Sequence, residues 1–240
     1  MQRPKVIFLD AVGTLFGVKG SVGQVYSEIA QRFGVEVSAE LLNQEFSQSF
    51  QAMAPPVFPG AEPQEIAERE FDWWRVVALR TFQQVGVLHQ FADFSAFFAE
   101  LYTHFATAEP WFVYPDVRPA LESWRQLGIE LGVLSNFDSR LYSVLQALEL
   151  AEFFTSVTIS TEVGAAKPDS QIFAVGLQKH NCLADAACHI GDSLKEDYQG
   201  AKAAGLFAVW LKRGEKKPAG AISALLPLGV LIEKYLMQQY

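Results

Sequence analysis

Asp10, Ser135, Asn136, Lys167, Asp192 and Asp197 are the residues of this 240-residue chain whose types and spacing could do chemistry. Each follows a short apolar run or opens the segment after one. Val6-Ile7-Phe8-Leu9 leads into Asp10 and turns through Gly13. Ile129 to Leu134 leads into Ser135-Asn136, and Cys188 to Gly191 leads into Asp192, with Asp197 five residues on at a helix start. In a parallel sheet the carboxyl ends of all strands open on one edge, where such sheets bind ligands, so these residues converge there. Asp10 and Asp192 in one pocket repel each other, and a divalent cation relieves that. Hard oxygen donors suit Mg²⁺, which takes one or two carboxylates together with water and phosphate. Lys167 balances a further negative group, from a nucleophile or a phosphate. Taken singly, each is equally a helix cap or a surface ion pair, and Asp197 is also a plain N-terminal helix charge. The order and placement of the whole set argue for a site.

The elements that must position these residues follow from periodicity. Apolar runs of three to six residues alternate with helical spacing from Trp111 onward, which predicts α/β architecture: a Rossmann-like, doubly wound parallel sheet with helices on both faces. The strands expected are Val6 to Leu9, Ile129 to Leu134, Val157 to Ile159, Cys188 to Gly191 and Leu206 to Leu211. Pro168 is expected in the first turn of a helix running on through Ile172 to Lys179. Gly17 to Gly20 reads as a turn. From Gly20 to Ala108 the pattern is helical: Val22 to Phe33, a helix capped by Ser38, a long one from Pro63 to Gly86, and one capped by Asp93. This stretch interrupts the sheet after its first strand. The expected division is a core of residues 1–17 and 111–240 with an inserted all-helical cap, 18–110. Ala221 to Tyr240 reads as one or two helices packed on the core.

Composition narrows the function classes. Half of the residues are hydrophobic and 19% are charged, which argues against a disordered chain. A net charge of −8 without a basic run argues against nucleic acid or an anionic membrane as partner. No apolar stretch reaches spanning length, and no signal-peptide pattern precedes the first strand. Cys182 and Cys188 do not form a disulfide framework, so a cytoplasmic location is expected.

The sequence resembles the haloacid dehalogenase superfamily over essentially its whole length. LDAVGTLF resembles its first motif, LSNFD its second, AKPD its third and HIGDSLKEDYQGA its fourth. The helical insertion resembles the superfamily's first cap type. FDWWRVVALRTF, LSNFDSRL and GDSLKEDYQG resemble the branch called haloacid dehalogenase-like hydrolase domain-containing protein three. The resemblance implies that Asp10 is a nucleophile, that Ser135, Asn136 and Lys167 bind the transferred group, and that Thr14 steadies the loop. It further implies that Asp10, the Val12 carbonyl and Asp192 hold Mg²⁺, with Asp197 in support. The implied activity is Mg²⁺-dependent hydrolysis of a small phosphorylated metabolite through an aspartyl-phosphate.

Val12 departs from the pattern. Phosphatases of the superfamily carry a second Asp there, which protonates the leaving group and then activates water. Such acid–base help is worth roughly 10²–10⁴-fold, so a slow enzyme is expected. Three other readings compete. A non-catalytic or regulatory binding protein would keep fold and metal without turnover. A 2-haloacid dehalogenase is suggested by DAVGTLF, close to that branch's DAYGTLF, but Asp192 is of the phosphatase kind. A phosphonatase needs a cap lysine, and no lysine lies between Lys19 and Lys167. Trp73, Trp74, Arg75, Arg80 and His104 are the cap candidates for substrate contact. For each, packing or a solvated face is the plainer explanation.

Overall fold

The computed structural model describes residues 3–214, 218–225, 227 and 230. Along the chain come β1 (Val6–Leu9), β2 (Phe16–Val18), α1 (Val22–Arg32), α2 (Ala39–Gln51), α3 (Ile66–Val85) and α4 (Phe94–His104). Next are β3 (Trp111–Val113), α5 (Val117–Gln126), β4 (Glu130–Ser135), α6 (Arg140–Ala147), β5 (Ser156–Ile159), α7 (Ser160–Val163) and α8 (Ser170–Lys179). The last are β6 (Ala187–Gly191), α9 (Gly200–Ala203) and β7 (Phe207–Trp210).

Five strands form one parallel sheet in the order β5-β4-β1-β6-β7. β1 is central, and its four residues are fully buried because both faces are covered. Side chains alternate across the pleat. Ile7 and Leu9 pack with Leu121, Trp124, Val144 and Leu145 of α5 and α6. Val6 and Phe8 point the other way, onto Ile172 and Phe173 of α8 and Ala201 of α9. This is the α/β, Rossmann-like arrangement that the alternating pattern predicts.

The helical stretch has its own apolar cluster. Tyr26 and Ile29 of α1, Leu42 of α2, Phe82 of α3 and Phe97 of α4 meet in it. Ser38 accepts from the Leu41 amide at 3.4 Å and Asp93 from the Ala96 amide at 2.9 Å, so both predicted caps satisfy an otherwise orphaned helix donor.

Local structure departs from expectation at four places. Gly17 and Val18 are not in a turn: β2 pairs antiparallel with β3, Phe16 opposite Val113 and Val18 opposite Trp111. The chain thus leaves the sheet and returns to it as a two-stranded ribbon. Pro168 lies before α8, after a cis Lys167–Pro168 peptide, and Asp169 is the cap, accepting from the Gln171 amide at 2.8 Å. The segment after Asp192 starts as a π-helix, Leu194–Gln199, before α9. Of the tail helices expected from Ala221, most of the positions lie outside the described residues. Ala221 and Ile222 lie in the buried core, and Ile222 bridges Leu211.

Candidate active site

The carboxyl ends of β1, β4 and β6 bring Asp10, Ser135 and Asp192 to one edge of the sheet. Lys167 comes from the loop before α8 and Asp197 from the π-helix after β6. Lys167 is 3% exposed, and each of its three ammonium hydrogens has an acceptor. It donates to Asp10 Oδ1 at 2.7 Å, to Asp197 Oδ1 at 2.5 Å and to the Leu134 carbonyl at 2.9 Å. The two carboxylates drive its pKa well above the usual lysine range in spite of burial.

Asp197 is held by more donors than Lys167 alone. The His189 ring Nε2–H donates to Oδ1 at 2.8 Å and the Ser193 amide to Oδ2 at 2.9 Å. Burial works against its charge, but Lys167 and His189 outweigh it and hold the carboxyl far below its ordinary value. Asp10 shares the lysine and lies beside Asp197. Burial therefore pushes its carboxyl up, with Lys167 and the Ser135 hydroxyl opposing. Asp192 is pushed up to about 7, by burial first and then by the Asp10 and Asp197 charges. No side chain among the described residues donates a hydrogen bond to the Asp192 carboxylate.

Three carboxylates thus face one lysine, and each has an oxygen within 4.8 Å of an oxygen of the others. This hard-oxygen set, short of positive charge, fits a divalent cation. The Val12 carbonyl faces no backbone donor among the described residues, because the tight loop beyond it is closed instead by Gly13 N to Phe16 O and Leu15 N to Ala11 O, both 2.8 Å. Two glycines allow the carboxylates to close in. A Cβ on Gly13, whose φ is +85°, would sit 2.7 Å from Asp192 Cγ, and one on Gly191 would sit 2.1 Å from Asp197 Cγ.

Two other sequence-singled residues have neighbours that only the fold reveals. The Asn136 side-chain amide is engaged with the backbone of Lys167, donating to its carbonyl at 2.9 Å and accepting from its N–H at 2.7 Å. Thr14 is fully buried and its hydroxyl has no partner among the described residues. Its carbonyl accepts from Arg213 at 2.8 Å, and Arg213 also pairs with Asp116 at 2.8 Å.

Sequence reasoning missed a second polar cluster, where α3 meets the segment after β4. The Trp74 indole donates to Asp138 Oδ2 at 2.6 Å. Arg140 clamps both oxygens of Asp138, at 2.9 and 2.6 Å, and its guanidinium lies 3.9 Å over Tyr102 and 5.1 Å over Trp74. Glu70 is fully buried and accepts from the Ser139 amide at 3.0 Å and from the Ser139 hydroxyl. The available signal was Asp138-Ser139-Arg140 directly after Ser135-Asn136, together with a glutamate on an otherwise apolar face of α3. His189 was missed because it lies inside a strand. His104, Arg75 and Arg80 have plain partners: Glu109 at 3.5 Å, Asp72 at 3.1 Å and the Met53 Sδ at 3.1 Å, respectively.

A cavity of about 560 Å³ joins these groups. Asp10, Ser135, Lys167 and Asp192 form its floor, and Phe50, Trp73 and Trp74 lie on its helical side. The two tryptophans thus border the site as well as pack.

The chain belongs to the haloacid dehalogenase-like hydrolase family, whose sequence model matches residues 4–205. Within that family it is similar to haloacid dehalogenase-like hydrolase domain-containing protein 3. The Mus musculus protein of that name is 32% identical over 228 residues, covering 93% of this chain and 87% of the mouse protein. An HAD phosphatase from Thermococcus onnurineus superposes with a TM-score of 0.61 at 24% identity, covering 95% of this chain and 96% of that one. A 2-haloacid dehalogenase from Pseudomonas syringae pv. Tomato DC3000 superposes with a TM-score of 0.65 at 20% identity, covering 97% and 99%. At these identities the structural likeness shows the fold.

Proposed function

We propose that the chain is a Mg²⁺-dependent phosphatase acting on a small phosphorylated metabolite, and a slow one. The observation that carries this reading is the charge imbalance of the floor: Asp10, Asp192 and Asp197 against Lys167 alone. A halide-releasing site has no use for Asp192 beside its nucleophile, whereas a cation-dependent phosphoryl site does. Asp10, Asp192 and the Val12 carbonyl would hold the ion, with Asp197 beside them, and the ion would supply charge neutralisation of the phosphoryl oxygens.

The residues have separate tasks. Lys167 fixes one oxygen of Asp10 and leaves the other to attack phosphorus. An oxygen–phosphorus bond forms to Asp10, and the bond to the leaving oxygen breaks with its electron pair going to that oxygen. Ser135 donates to a phosphoryl oxygen. Asn136 holds the Lys167 backbone in place. Water then attacks phosphorus, the bond to Asp10 breaks, and phosphate leaves with the carboxylate restored. Val12 can neither give the leaving oxygen a proton nor take one from water, which is the reason for slow turnover.

The second reading is a binding or regulatory protein with the same fold and metal, and Val12 is the observation that favours it. A side-by-side assay with an aryl phosphate and a 2-haloacid, with and without Mg²⁺, separates the readings. Release of phosphate that needs Mg²⁺ and Asp10 supports the phosphatase, and metal-independent halide release would overturn it. Val12→Asp is expected to raise turnover of poor-leaving-group esters by ~10-fold or more. No gain on any ester, with Mg²⁺ binding unchanged, would favour the binding protein. A cytoplasmic location accords with the free thiols of Cys182 and Cys188. No helix among the described residues is long and apolar enough to cross a membrane.

A further inference from the structure

We propose that the substrate is the phosphate monoester of a phenol, with its aromatic ring held in the helical side of the cavity and its phosphoryl group over Asp10. This rests on the phosphatase reading and names its substrate class.

The two sides of the cavity differ in kind. Its carboxylates and Lys167 lie on the floor, around Asp10 and Asp192, and the one charged side chain beside the helical rings, Arg140, is clamped to Asp138. The opposite side presents Phe50, Trp73, Trp74, Tyr102 and Phe105. These rings are held by their neighbours. Phe50 stacks on Trp74 at 5.7 Å and 26°, Trp73 meets Trp74 edge-on at 4.9 Å, and the Trp74 indole is hydrogen-bonded to Asp138. A wall fixed before binding favours a flat, rigid guest, because little order is lost on binding. The volume of about 560 Å³ lies in the usual small-molecule range of roughly 300–1,000 Å³.

The same wall disfavours other esters. A sugar or polyol would bring several hydroxyls, and on the helical side Gln51 and the two tyrosines, Tyr26 and Tyr102, are the neutral polar side chains that line the cavity. Each buried hydroxyl without a partner weakens binding by roughly tenfold. A quaternary ammonium group would suit aromatic faces. Here the faces of Trp74 and Tyr102 already carry the guanidinium of Arg140, so a second cation would meet like charge.

Val12 points to the same class from the chemistry. Without an acid at that position the leaving oxygen departs as an anion. A phenolate is the conjugate base of an acid with pKa near 10, as in tyrosine, whereas an alkoxide is nearly as basic as hydroxide, from water at about 15.7. As Asp10 bonds to phosphorus, the phenolate leaves with the electron pair and takes its proton from water afterwards. The apolar wall and the missing acid are independent features, and a phenyl ester satisfies both.

Calorimetric titration with Mg²⁺ present tests the class without turnover, because phosphonates are not cleaved by this chemistry. Benzylphosphonate is expected to bind at least ~30-fold tighter than methylphosphonate, given the worth of burying and stacking a ring. Trp73→Ala and Phe50→Ala, both at partly exposed positions, should each reduce that advantage by roughly tenfold and leave methylphosphonate within about twofold. In parallel, kcat/KM is measured for phenyl phosphate, glycerol 3-phosphate and phosphocholine, with phenyl phosphate expected to lead. Equal affinity for the two phosphonates, or a lead for either of the other esters, overturns the aryl assignment and leaves the phosphatase reading standing. A benzylphosphonate advantage without turnover of any ester overturns the phosphatase reading, and the ring site remains.

Discussion

The two ends of the central sheet carry similar residue types and use them differently. Where the strands begin, Ser156 hydrogen-bonds His180 Nε2 at 2.6 Å, and His180 Nδ1 hydrogen-bonds Glu130 at 2.5 Å. This hydroxyl–imidazole–carboxylate line has the look of an activated nucleophile. None of its three residues lines the large cavity, however, and one imidazole answers one carboxylate. Lys5 donates to the His180 carbonyl at 2.7 Å, and Phe8 packs edge-on to the imidazole at 5.2 Å. Where the strands end, a histidine also meets a carboxylate, but burial holds His189 toward its neutral form, and of three clustered carboxylates only Asp10 and Asp197 pair with Lys167. The compensated end ties strands together. The uncompensated end is open to a cavity, and its clustered carboxylates could hold a cation. Charge balance and access, more than residue type, separate structure from chemistry here.

Substitutions at the two ends put this contrast at risk. The largest effect is expected from Asp10→Asn, which removes the proposed nucleophile and should lower phosphate release by at least ~10⁴-fold with the fold intact by circular dichroism. If Ser156→Ala does this and Asp10→Asn does not, the assignment of the two ends is reversed. Lys167→Met comes next. It leaves buried carboxylates without their partner and should destabilise the metal-free protein by about 3–5 kcal/mol in denaturant unfolding. Mg²⁺ should recover part of that loss by binding the native state. Unchanged stability would mean that the lysine is not the main counter-charge.

At the other end, His180→Ala leaves Ser156 and Glu130 without their partner. A loss of about 1–3 kcal/mol is expected, with kcat per folded molecule unchanged. A fall in kcat larger than the loss of folded protein would give the N-terminal end a catalytic part.

The smallest effect sharpens the contrast through pH. The Asp192 carboxyl titrates near 7 in the folded protein and near 3.8 when free, so the native state binds the extra proton between those values. Its contribution to stability therefore falls as pH rises from about 3.8 to about 7. A cation needs the carboxylate, so its binding releases that proton. Mg²⁺ affinity should rise by roughly fivefold from pH 6 to pH 7, by about twofold more to pH 8 and flatten above, read from thermal shifts at fixed ion concentration. Asp192→Asn should abolish the pH dependence together with most of the shift. An equal shift at pH 6 and pH 8 in the wild type would place the ion elsewhere.

Much of this molecule was legible before its fold. Val6 to Leu9 could be read as a doubly buried strand because four apolar residues in a row leave no polar face, and Asp10 follows at the end where parallel strands open. Caps at Ser38 and Asp93 could be read because a helix start depends on its own few residues. The β2–β3 ribbon could not, because Phe16-Gly17-Val18 becomes a strand only opposite Trp111-Phe112-Val113, nearly a hundred positions later. Pro168 misled because a proline suits a helix start and also the turn before one.

By itself the sequence determined the layer architecture, the order of the polar sites and the lack of an acid at Val12, since each depends on local pattern or on residue identity. Tertiary structure alone decided how those residues divide the work. It turned the Asn136 amide onto Lys167, set His189 behind Asp197, joined Trp74 to Asp138 and Arg140, and brought Phe50, Trp73 and Trp74 to the wall facing Asp10. Periodicity reports which face of an element is buried. Which side chains meet across elements is set by how the buried faces pack, and these partners come from positions far apart in the chain.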